Sequence, residues 1–261
     1  MFIYIKPLIY SLLIVFGLEI LIIYFGYSTW ILFVLFFINL IASWQVSKRL
    51  QIPYLPSLFV IGSAVLLFFV DPGILRHIYI TSAGAVYYLI LYSINLFNEN
   101  KESEFVIKIN YITSLITLFL WLSGIMALYL NSIFGVWTIL GGVFFIAYLI
   151  SYQLLKRTLQ IEIKYFLVSF VLAYCVSVIA WACLFLPFSY LTLSAIIFAS
   201  YFIIVNYFIQ NKNQKLTKLS FTFDVLIFIL AVLAVLYTAK WKIDPERSAI
   251  SNSFSEQAEQ Q

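Results

Sequence analysis

The sequence predicts an all-α polytopic transmembrane bundle of about nine spans, with eight as the alternative and the N-terminus in the cytoplasm. Three observations carry this reading. Of 261 residues, 64% are hydrophobic and 10% charged, whereas a soluble domain carries roughly 25% charged residues. The mean hydropathy is +1.04. The apolar residues also fall into segments of about the 20 residues that a helix needs to cross the hydrocarbon layer. They show none of the strict alternation of a membrane β-barrel.

The segments lie at about 8–25, 30–46, 54–70, 78–97, 109–129, 133–154, 165–186, 190–209 and 219–239. The first follows Lys6, exceeds the 7–15-residue core of a signal peptide and lacks a small-residue cleavage site, so it reads as an uncleaved helix. Residues 8–46 as one helix would be almost 60 Å long, twice the hydrocarbon thickness, so the chain turns at Gly26-Tyr27-Ser28. The third and fourth segments are joined through Asp71-Pro72-Gly73. Asn131-Ser132 and Pro187-Phe188-Ser189 break the next two near-continuous runs. The mixed-charge stretch 98–108 is a solvated connection. No internal repeat is evident by eye, although the hairpin rhythm suggests looking for one. Residues 1–242 form the transmembrane domain, and 243–261, rich in Ser, Gln and Glu, read as a disordered polar tail.

Lys and Arg set the orientation. With the N-terminus inside, alternate loops place 11 basic residues in the cytoplasm and 4 outside, the latter being Arg76, Lys240, Lys242 and Arg247. The positive-inside rule then favours a cytoplasmic N-terminus, and the expected location is the cell membrane, as a multi-pass protein. The net charge of +4 is scattered, which excludes a nucleic-acid partner.

Much familiar chemistry is excluded. One histidine, His77, cannot supply bis-histidine haem ligation or a His-Glu-x-x-His zinc site. Every lysine lies in a loop or at a helix end, there is no Gly-rich phosphate cradle, and Asp71 and Asp224 fall on opposite sides of the membrane. Cys175 and Cys183 are about 12 Å apart on a helix, too far for a disulfide. No cofactor or metal is expected, and an enzyme is the least favoured class.

One residue resists a purely structural reading. Glu19 falls near the middle of the first apolar span, where an ionised carboxylate costs several kcal/mol and such residues mark cavities or partners. Ser11, Val15, Glu19, Ile22 and Gly26 form one helical stripe. A turn centred near residue 28 sets Glu19 level with about residue 37 of the second span, which makes Asn39 its expected partner. A protonated Glu19 bonded to Asn39 would serve as helix glue; the competing role for this pair is proton or ligand handling. Arg76 with His77, and Asp224 near a helix start, read as interfacial caps. The function expected is a small transporter for an apolar or lipid-like substrate. The competing reading is a non-catalytic scaffold or accessory subunit with a membrane-protein partner.

This topology is tested by labelling single cysteines in a background lacking Cys175 and Cys183. Probes at 103 and 213 should react from the cytoplasm and one at 255 from outside. Labelling of 103 and 213 from opposite faces would break the span order.

Overall fold

The computed structural model describes residues 2–24, 27–47, 54–98, 104–159 and 164–212. Among them are eight α-helices and no strand: α1 (Phe2–Ile23), α2 (Ser28–Ser47), α3 (Leu55–Leu67), α4 (Ile74–Asn98), α5 (Glu104–Leu130), α6 (Val136–Leu159), α7 (Lys164–Cys183) and α8 (Tyr190–Lys212). The first eight segments read from the sequence each coincide with one helix. Seven are long and apolar enough to cross a membrane, and α3 is a shorter apolar helix. The chain is a polytopic transmembrane helical bundle. The ninth segment (219–239), Asp224 and the tail (243–261) lie outside the described residues.

The turns after α3, α5 and α7 sit where the sequence set them, each with its own chemistry. After α5, Asn131 returns its side-chain amide and its backbone N–H to the Ala127 carbonyl. Ser132 then takes φ 58°, reversing the chain in the left-handed conformation common at helix ends. Ser189 caps α8 by accepting from the Thr192 backbone N–H at 3.4 Å. Between α3 and α4, Gly73 adopts φ 119°, a conformation that side chains disfavour.

Helix α3 is short because Pro56 fits only the first turn of a helix, fixing its start, and because the last turn loosens into i→i+3 bonds from Phe69 to Leu66 and Val70 to Leu67. At about 20 Å it falls short of the hydrocarbon thickness. It is nonetheless the most enclosed helix: ten of its thirteen residues are buried. Non-ideal segments at membrane depth are tolerated where protein surrounds them.

The core divides into two. Ile14, Leu18, Phe59, Tyr87 and Ile90 centre the α1–α4 half. Leu118, Met126, Ile150, Val176 and Tyr201 centre the α5–α8 half. In each half consecutive helices pack together and the first also packs on the fourth; α3 and α4 join the halves by packing on α5.

That seam depends on two glycines. The Trp121 indole donates to the Leu58 carbonyl at 2.7 Å, and a Cβ on Gly62 would lie 2.8 Å from the Trp121 ring. On the other side of the contact, a Cβ on Gly124 would lie 2.9 Å from Val65. Small residues let membrane helices approach closely, where dispersion rather than hydrophobicity drives association. Gly62→Leu should therefore cost about 1–3 kcal/mol by overpacking. A Gly141→Leu control, at a position with open space, should cost far less; thermal unfolding in detergent compares the two.

Candidate functional site

Helix α1 presents Ser11, Val15 and Glu19 of the stripe read from the sequence toward α4, while Gly26 lies outside the described residues. Ser11 donates to the Gly84 carbonyl at 2.7 Å, and Val15 packs over Gly84. Glu19 Oε1 lies 2.9 Å from His77 Nδ1. The Glu19 side chain is 31% exposed and that of His77 63%, so the pair sits at the rim of the bundle opposite the basic loops. Glu19 lies four residues, about 6 Å, from the end of α1, shallower than the mid-span position expected. Protonation of His77 converts this hydrogen bond into an ion pair.

The expected partnership of Glu19 with Asn39 is not formed. Helix α1 ends at Ile23 and α2 begins at Ser28, so the connection is centred two to three residues earlier than expected, which moves the residue opposite Glu19 to about 32. Asn39 then lies about 10 Å deeper. It is fully buried, and its Oδ1 accepts from the Tyr87 hydroxyl at 2.7 Å. Its Nδ2 has no partner, and neither has the buried Ser43 Oγ one turn on. The two candidate residues therefore occupy separate sites on the same half. One is a rim pair open to water. The other is a polar contact enclosed between α2 and α4.

Neither His77 nor Tyr87 was singled out as a partner. For His77 a signal existed: it opens the fourth span, at the end of the bundle toward which the first span runs. Tyr87 gave none, being one of 19 tyrosines. Arg76, read as a cap, donates through Nη2 to the Val70 carbonyl at 2.8 Å, closing the loop before α4. Asn206 belongs to the other half, where its Oδ1 accepts from the Tyr111 hydroxyl, and it joins neither Glu19 nor Asn39. Among the described residues no cluster of three or more His, Cys, Asp or Glu could hold a metal ion.

One apolar concavity accompanies these polar sites. A partly open groove of about 410 Å³ lies between α5 and α8, lined by Ile112, Leu115, Ile116, Phe119 and Phe198. Phe119 meets Phe198 edge to face at 5.6 Å between ring centres. Ile116 also packs against the first-half core, so the groove borders the seam. Its volume falls within the range of small-molecule sites, and its lining offers no hydrogen bond.

Tyr87→Phe should cost about 1–3 kcal/mol, because it strands the whole Asn39 amide in the core. Tyr87→Phe with Asn39→Leu should recover most of that loss. Equal destabilisation by the single and double variants, measured by thermal unfolding, would count against the contact.

No protein-family model, no curated protein and no solved structure matches this chain.

Proposed function

We propose that the chain is a small permease-like transporter for an apolar or lipid-like substrate. The observation that carries this reading is the groove between α5 and α8: five apolar side chains line a partly open concavity of a size suited to a hydrocarbon chain, bordering the seam between two helical halves. Binding there rewards the substrate by removing apolar surface from water, and it requires no charged contact. The short α3 at the bundle centre adds support, since transporter sites commonly adjoin shortened or interrupted helices. The rim pair Glu19–His77 supplies a protonatable element that could couple movement to an ion gradient.

The second reading is a non-catalytic membrane subunit. It is favoured by the uncovered aromatic stripe of α7, where Phe166, Phe170, Tyr174 and Trp181 are all exposed and stand ready for lipid or for a neighbouring chain.

Proteoliposome flux separates the two. A fluorescent long-chain alcohol should cross parent vesicles faster than empty ones, and Leu115→Trp, which fills the groove, should lower that rate about tenfold or more. Parent flux equal to empty vesicles, with stable co-purification of another membrane chain, would instead support the subunit.

A further inference from the structure

The two halves share more than an arrangement of helices. When α2 is set against α6 at a register of 108, nine of the nineteen positions in 31–49 and 139–157 are identical. They include Ser43 with Ser151, Gln45 with Gln153, and Lys48-Arg49 with Lys156-Arg157, none of which apolar composition alone would produce. Burial follows the same register: Leu35, Asn39 and Ser43 are buried, as are Val143, Ala147 and Ser151, while Phe37 and Phe145 are both exposed.

The other helices agree in registers of their own. At 103, Ile9, Ser11, Leu12 and Phe16 of α1 match Ile112, Ser114, Leu115 and Phe119 of α5, and Ser11 and Ser114 are both buried. At 114, Ala85, Tyr87 and Ile90 of α4 match Ala199, Tyr201 and Ile204 of α8. Tyr87 and Tyr201 are among the largest fully buried side chains. Each meets a polar side chain on the second helix of its own half: Asn39 for Tyr87, Ser151 for Tyr201 at 3.0 Å. The register grows along the chain because α5, α6 and α7 are longer than α1, α2 and α3, so no single offset exposes the likeness.

The same registers locate where the halves differ. Glu19 falls opposite Leu122, His77 opposite Leu191 and Asn39 opposite Ala147. Both members of the rim pair are thus absent together from the second half, as expected of two residues serving one purpose. We infer that residues 2–98 and 105–212 are two tandem copies of one four-helix unit, and that Glu19 with His77 equips the first copy alone as a proton-exchange site. A proton taken from outer water resides on His77 Nδ1 or on Glu19 Oε1, the atoms being 2.9 Å apart. The other charged groups at this rim among the described residues are Asp71 and Arg76, and Arg76 is turned to the Val70 carbonyl. The assignment of proton exchange deepens the transport reading and rests on it; the duplication does not.

The duplication is tested by exchanging segments 31–49 and 139–157, which have equal length and matching ends. The exchanged chain should insert and melt cooperatively within about 10 °C of the parent, a few kcal/mol on the scale of such chains. A control with 31–49 scrambled should lose cooperative melting. Exchange behaving like the scramble would overturn the duplication.

For the rim pair, Glu19→Leu with His77→Leu copies the second unit and should melt no lower than the parent while abolishing uncoupler-sensitive flux. A fall of more than about 5 °C would make the pair structural instead. Because the chain has one histidine, imidazole ¹⁵N resonances report His77 directly. They should respond to outer pH in the parent and change position in Glu19→Gln. Resonances indifferent to that substitution would overturn the site even with flux intact. Absence of flux in the parent, with the exchange successful, would remove transport and the proton role and leave the duplication standing.

Discussion

The contact of α3 with α5 is the constraint on which the rest of the bundle depends. Each half can satisfy its own backbone hydrogen bonds inside its helices, as any membrane helix must. Joining the halves needs something more, because lipid tails compete on equal terms with apolar side chains for a helix surface. The Trp121 indole against the Leu58 carbonyl and the bare backbones of Gly62 and Gly124 supply it. The groove and the boundary between the two cores are both placed by that contact, since Ile116 and Leu120 of α5 reach across to the first half.

The architecture was legible because hydrocarbon is an unforgiving solvent. It demands helices of a given length, and punctuation such as Asp71-Pro72-Gly73 or Asn131-Ser132 then has few places to fall. The finer placement was legible in part. The stripe Ser11, Val15, Glu19 pointed inward as the structure has it, because helical spacing fixes which residues share a face. Spacing does not say which neighbour that face meets. Two helices flank α1, and α4, about 60 residues away in sequence, took the position assigned to α2. A three-residue error in the turn centre was enough to misjudge the level of Asn39.

The repeat escaped a reading by eye for a related reason. Membrane helices draw on a small apolar alphabet, so likeness is blurred, and a register that drifts by eleven residues from α1 to α8 dilutes it further. Burial sharpened the comparison. The alignment of Leu35 with Val143 means little as letters and more when both are buried in the core of a half. The two copies also explain each other's polar cores. Where Ala147 replaces Asn39, the tyrosine of the second half bonds to the serine instead, whereas in the first half Ser43 is left unpaired.

The shortness of α3 has a consequence for the membrane itself. A span of about 20 Å meets a bilayer about 30 Å thick, and neighbours shield it from the acyl chains that would otherwise be forced to thin around it. The missing length is supplied by chain that is not helical, and at the Glu19 end this is the stretch from Phe68 to Gly73. It passes from half-buried at Phe68 to exposed at Asp71, and irregular backbone of this kind is tolerated at membrane depth only where protein or water satisfies it. Glu19, held to His77 just beyond this stretch, keeps its hydration without leaving the bundle.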